Sequence, residues 1–190
     1  MSAGSVAQPG DLFVLLLPDE DEAVALRARQ EALRGRYGGQ PHAPVHLTCQ
    51  RFAAPDAASI AALTGRVRLD LAGVKPCPVW AASLTAYRSP FWQTRLLRWS
   101  IAPSAEFLAL LAAMRTLLDD VHLPAHYPWT RSPSSPAHVT ALEGIDEREI
   151  TAAELAEGLP HRLFVGRRVV LSRLLSGRSF DQIASFGLVG

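Results

Sequence analysis

The sequence predicts an α+β fold built from two sheets or sheet halves. Three observations lead there. Short apolar runs bounded by turn residues alternate with amphipathic stretches in the order β-α-β-α-β-β-α-β-α-β-β. Two β-α-β-α-β units follow each other in that order, which argues against a doubly wound parallel sheet. No glycine-rich phosphate loop follows any strand, because Gly35, Gly38 and Gly39 come after a helix.

Residues 1–10 read as a loose N-terminal leader, and 11–190 as a single domain. The first strand is Leu12–Leu17, an apolar run closed by Asp11 and Pro18 and too short to span a membrane. Pro18 and the acidic run Asp19–Glu22 open a helix whose apolar positions run through Val24, Leu26 and Leu33, with Gly38-Gly39 as its stop. Val45–Phe52 alternates like a strand. Pro55-Asp56 opens a second helix through about Leu63, with a weaker continuation to Gly73. Pro78–Tyr87 and Thr94–Ile101 form two strands around a turn at Ser89-Pro90. Pro103-Ser104 caps a long amphipathic helix, Ala105 to about Val121. His122–Pro136 holds four prolines and reads as a loop whose length points to function. Ala137–Leu142 is a strand, Thr151–Gly158 a short helix, and His161–Leu175 and Ser179–Leu188 close the chain as strands.

Composition narrows the function. Nineteen basic against eighteen acidic residues leave a net charge of +1, so the chain lacks the excess positive charge of a protein that coats nucleic acid, while a small local anion site remains allowed. Two cysteines, Cys49 and Cys77, make neither a disulfide framework nor a four-cysteine zinc site, which points to a reducing cytoplasmic setting. The N-terminus carries no targeting pattern, and no membrane association is expected.

Two tripeptides share one form. His46-Leu47-Thr48 and His138-Val139-Thr140 each begin a predicted strand, and each has a proline two residues before the histidine. Side chains alternate faces along a strand, so His and Thr at i and i+2 point together while Leu47 and Val139 point into packing. The motifs lie 138 − 46 = 92 residues apart, close to half of the 190-residue chain, as a duplication requires. An approximate two-fold axis would then set the two pairs across one cleft. With six histidines and eight threonines, only about 0.25 His-x-Thr matches arise by chance, so two in matching contexts carry weight.

These paired motifs resemble those of the 2H phosphoesterase superfamily, which includes the RNA 2′,3′-cyclic phosphodiesterases and 2′-5′ RNA ligases. The resemblance implies a bilobal α+β fold, two β-α-β-α-β-like halves with antiparallel sheets facing a central cleft, and a site without metal or other cofactor. It implies catalytic roles for His46 and His138 and phosphate binding by Thr48 and Thr140. The expected activity is metal-independent opening of 2′,3′-cyclic phosphates at RNA or nucleotide ends by two-histidine acid–base catalysis, with 2′-5′ ligation as its reverse. Expected partners are RNA 3′ ends or nucleotides bearing a cyclic phosphate, bound by a monomer. One departure from the RNA ligase-like branch stands out: the arginine usual after the second motif is replaced by Ala141-Leu142-Glu143, whereas Arg51 follows the first. The same cleft also suits a non-catalytic nucleotide or RNA-phosphate binder, which turnover would distinguish.

Other residues have competing readings. Tyr127, Trp129 and Arg131 precede the second motif and suit base stacking and a phosphate contact, or else a plug at the end of the core. Strict alternation puts Arg51 on the face opposite His46 unless a bulge intervenes. Arg167-Arg168 reads as a solvated edge, Phe91-Trp92 and Trp99 as packing, and Cys49 as buried and inert. Zinc at His122 and His126 is opposed by Pro124 between them.

Overall fold

The structure, a computed structural model, describes residues 7–53, 55–89, 93–120, 137–175 and 179–189, the side chains of 115, 116 and 118–120 excepted. The loop at 122–136, with Tyr127, Trp129, Arg131, His122 and His126, and the pair Phe91-Trp92 lie outside these residues.

The elements in chain order are β1 Leu12–Leu17, α1 Glu20–Tyr37, β2 Gln40–Pro41, β3 Leu47–Phe52, α2 Ala57–Asp70, β4 Cys77–Ser89, β5 Thr94–Ala102, α3 Ala105–Asp120, β6 His138–Glu143, α4 Ala152–Ala156, β7 His161–Gly166, β8 Arg168–Leu174 and β9 Phe180–Gly187. Local chemistry accounts for most boundaries. Asp56 caps α2 by accepting from the Ser59 N–H at 2.7 Å, and the Ser104 hydroxyl accepts from the Phe107 N–H at 3.1 Å at the start of α3. Thr151 and Glu154 close a capping box on α4. Gly38 ends α1 at φ 68°, a left-handed conformation that glycine adopts without a Cβ penalty.

The strands form one antiparallel sheet in the order β7-β4-β5-β6-β3-β1-β8-β9, with β2 pairing β6 beside β3. It curls into a half-barrel. The α+β class and two antiparallel halves are thus present. The halves meet inside one sheet, joined between β3 and β6 at Leu47↔Val139. The half β7-β4-β5-β6 is continuous in sequence, whereas the other half sets β1 and β3 from the N-terminal part of the chain beside β8 and β9 from its C-terminal part. The order is palindromic about the junction, so β3 corresponds to β6, β1 to β5, β8 to β4 and β9 to β7.

The helices pack on one face of the sheet. Their buried residues Leu26, Leu63, Val67, Phe107, Leu110, Met114 and Leu117 share one core with Leu12, Val14, Leu16, Leu47, Trp99 and Val139 from the strands. Cys49 and Cys77 are free and buried, and burial pushes both thiols up, which suits the inert role expected of Cys49. Phe13, Leu15, Val170 and Leu174 form a second apolar cluster on the other face, with Phe180 packed against it. Residues 8–10 tie back to the fold, the Gly10 N–H donating to the Leu174 carbonyl at 2.8 Å.

The segment His161–Leu175, expected as one strand, is two. After β7 the chain leaves β4 and returns beside β1, and Gly166 sits at the crossing. A Cβ there would lie 2.5 Å from Cγ and Cδ1 of Leu16, which is fully buried. Gly166→Ala gains about 0.4–1 kcal/mol from a stiffer unfolded chain. Overpacking costs about 1–3 kcal/mol. The variant is therefore expected to be less stable than the parent in urea unfolding; equal or higher stability would show that Leu16 moves aside freely.

Candidate active site

Pairing of Leu47 with Val139 places both of those side chains in the core and turns their neighbours to the helix-free face. Antiparallel register then sets His46 across from Thr140, and Thr48 across from His138. The two tripeptides thus form a two-by-two array on adjacent strands. The structure brings His46, Thr48, His138 and Thr140 together on one surface; His138 is exposed and the other three are half-buried.

The array extends into β5 and β4. Arg98 pairs with Thr140 and Ser100 with His138. Thr85 pairs with Arg98, and its hydroxyl lies 3.1 Å from that of Ser100. One rung therefore reads Thr85, Arg98, Thr140, His46, and the next reads Ser83, Ser100, His138, Thr48. On the far side Leu15 pairs with Thr48, followed by Val170 on β8.

His46 has a defined tautomer. Its Nδ1 lies 2.7 Å from the carbonyl oxygen of Pro44, and a carbonyl only accepts, so Nδ1 carries the hydrogen and Nε2 keeps its lone pair. Rings crowd the imidazole: His42 has its centroid 5.2 Å away, and Phe180 meets it edge-on at 5.6 Å. Burial pushes the pKa down from the ordinary histidine value to about 3, and the nearby charges of His42 and His138 push the same way, against the pull of the Pro44 carbonyl. His46 is therefore neutral at pH 7.

Two residues reach this face by a route that alternation does not reveal. Each motif is followed immediately by a β-bulge. The register of β3 against β1 slips at Cys49, and that of β6 against β5 slips at Ala141. A bulge reverses the facing of everything after it. The residue three past each threonine is thereby brought to the helix-free face: Arg51, opposite Phe13, and Glu143, opposite Leu96. The bulge that sequence reasoning made the condition for Arg51 is present. Arg51 is nonetheless committed elsewhere. It is 1% exposed, its Nε and Nη2 donate to Oδ2 of buried Asp11 at 3.0 and 2.5 Å, and its guanidinium lies 5.7 Å from the Phe13 ring centroid. Glu143 pairs with Nδ1 of His42 at 2.6 Å. His42 carried no motif, and only the cross-strand pairing of β2 with β6 sets it beside His46.

Arg167 and Arg168 are both exposed, the solvated edge that was expected, and Trp99 is 2% exposed in the core. Among the described residues no three His, Cys, Asp or Glu side chains gather as a metal-binding group, and no helix is long and apolar enough to cross a membrane.

No family model matches the chain, and comparison with curated proteins gives no match. Solved structures do match. E. coli LigT complexed with 3′-AMP superposes with a TM-score of 0.60 at 15% identity, over 96% of this chain and 100% of that one. A phosphoesterase crystal structure gives a TM-score of 0.63 at 16% identity, over 96% and 100%. Kluyveromyces marxianus Usb1 with uridine monophosphate gives 0.58 at 16% identity, over 92% and 98%. The chain therefore has the fold of the 2H phosphoesterases, with both His-x-Thr tripeptides side by side on its helix-free face.

Proposed function

We propose that this protein is a metal-independent phosphodiesterase that opens 2′,3′-cyclic phosphates at RNA or nucleotide ends, with residues 11–190 as its catalytic domain. The observation that carries the reading is the two-by-two array: two imidazoles and two hydroxyls set across adjacent strands, with Nε2 of one histidine free to accept a proton. That LigT and Usb1, similar in fold, were crystallised with 3′-AMP and uridine monophosphate supports a nucleotide ligand here.

In this mechanism water attacks phosphorus and gives its proton to Nε2 of His46, a base that is neutral at pH 7. His138 gives a proton to the departing ribose oxygen as the P–O bond breaks, leaving a phosphomonoester and a free hydroxyl. Thr48 and Thr140 donate hydrogen bonds to the non-bridging oxygens, where charge accumulates in the transition state. Ligation uses the same groups with the 5′-hydroxyl of a second RNA in place of water: its oxygen bonds to phosphorus, its proton passes to Nε2 of His46, and the 3′ oxygen leaves with the proton of His138, so that a 2′-5′ phosphodiester forms. The test is a panel of 2′,3′-cyclic nucleotides and cyclic-ended RNAs incubated in EDTA, with product regiochemistry determined. Turnover to a single phosphomonoester isomer is expected; binding without turnover would leave only a phosphate-binding protein.

The pH dependence follows from His46. A base must be unprotonated, so acid inactivates only where His46 takes up its proton, well below the ordinary value near 6.5. The acidic limb of kcat/KM is therefore expected below pH 5. His42→Ala removes one of the influences that depress His46 and should move that limb toward neutrality. Stability has the same sign: the unfolded chain binds a proton at His46 below about pH 6.5 and the folded chain does not, so acidification through that range destabilises the fold. An acidic limb at pH 6.5 in the parent protein would contradict the assignment of His46 as the base.

A further inference from the structure

We propose that Arg98 is the cation that binds the substrate's phosphate, held in place on the face of Tyr87. This deepens the phosphoesterase reading and rests on it. Arg98 stands on β5 directly across from Thr140, which itself stands across from His46, so guanidinium, hydroxyl and imidazole occupy one rung. Its guanidinium carbon lies 4.3 Å from the centroid of the Tyr87 ring, which fixes the plane of the fork without using its N–H groups. Its Nε is buried and has no hydrogen-bond partner. A buried charged donor without an acceptor is costly, and such groups persist where a ligand supplies the acceptor.

Several other arginines among the described residues are committed. Arg51 pairs with Asp11, Arg66 with Asp70, Arg36 with Glu157 and Arg148 with Glu154. Arg95 donates to the backbone carbonyls of Asp146 and Arg148. Burial moreover lowers the pKa of Arg98 from its usual value, the direction set by desolvation and one that an anion would reverse.

Charge balance gives the same assignment. A cyclic phosphodiester carries one negative charge. The threonines donate without charge, His46 is neutral at pH 7, and the positive charge of His138 leaves with the proton it gives to the ribose oxygen, so Arg98 is the array's permanent cation. The position that corresponds to Arg98 in the other half is Leu15, across from Thr48 and within the apolar cluster of Phe13, Val170 and Leu174. The array is thus charged on its β5 side and apolar on its β1 side. A planar guanidinium on one side only grips a tetrahedral phosphate through one pair of oxygens.

The experiment has a binding arm and a turnover arm. Inorganic phosphate is titrated into the parent protein, Arg98→Gln and Arg98→Lys, with the thermal shift as readout. Turnover is measured on uridine 2′,3′-cyclic phosphate and on the two diastereomers of its cyclic phosphorothioate. In Arg98→Gln phosphate affinity should fall at least about tenfold, and kcat/KM should fall by about 10²–10³-fold, as for loss of one oxyanion donor. Arg98→Lys should recover part of both. The parent should prefer one phosphorothioate diastereomer, and Arg98→Gln should lose that preference. Unchanged phosphate binding in Arg98→Gln, or an equal loss with both diastereomers, would overturn the assignment and make Arg98 a packing residue. If the parent binds phosphate through Arg98 yet turns over no cyclic phosphate, the enzymatic reading fails while the anion site stands.

Discussion

Replacing His46 or His138 by alanine should each lower kcat for a 2′,3′-cyclic nucleotide by about 10²–10⁴-fold, the usual contribution of a positioned general acid or base. Each imidazole handles a different proton, one taken from water and one given to the leaving oxygen. Neither is a core residue: His138 is exposed and His46 half-buried, so melting temperatures should stay near that of the parent protein. The double variant should lose much less than the product of the two single losses, because groups that act as one unit are not additive. Steady-state kinetics and thermal melts on the three variants provide the check. A single variant that retained the parent's kcat with an unchanged melt would remove the two-histidine mechanism.

Breaking the Asp11–Arg51 pair should have the largest effect on stability. Both groups are nearly inaccessible, Asp11 at 3% and Arg51 at 1% exposure. Removing one partner of a buried pair leaves an uncompensated charge and costs about 3–5 kcal/mol. Asp11→Ala should therefore shift the urea midpoint strongly downward. Replacing both partners, as in Asp11→Leu with Arg51→Met, should recover most of that loss, because the stranded charge goes with its partner. This also tests the place of Arg51 at the site. If Arg51 served the substrate rather than the fold, Asp11→Ala would free it, tighten phosphate binding and leave stability nearly unchanged. The Asp11 hydrogen bonds to Nε and Nη2, together with the Phe13 ring, support the structural role.

Much of the architecture was legible because it is written in local patterns. Acidic residues at Glu20–Glu22, the Asp56 and Ser104 caps and the Gly38 stop are signals between near neighbours, and the helices begin and end close to them. Alternation along Leu47–Phe52 and His138–Glu143 likewise put Leu47 and Val139 inward and the motif residues outward. The short β2 was not visible, because a two-residue bridge exists only by virtue of its partner β6. The division of His161–Leu175 was missed for a related reason: both halves look like good strand, and only the pairing of β7 with β4 and of β8 with β1 forces the break.

The amino-acid sequence by itself determined the helices, most of the strands and the face on which each His-x-Thr pair stands, because these follow from propensity, capping and period-two alternation within a few residues. Tertiary structure alone decided what surrounds the pairs. Register between strands set His46 across from Thr140 and Arg98 beside it. Bulges at Cys49 and Ala141 turned Arg51 and Glu143 to the same face, where Asp11 and His42 meet them. A bulge is a mismatch in count between two paired strands, and neither strand records it alone. The contacts of Arg98, Arg51 and His42 therefore depend on partners 11, 40 and 101 positions away in sequence, a separation that local pattern does not encode.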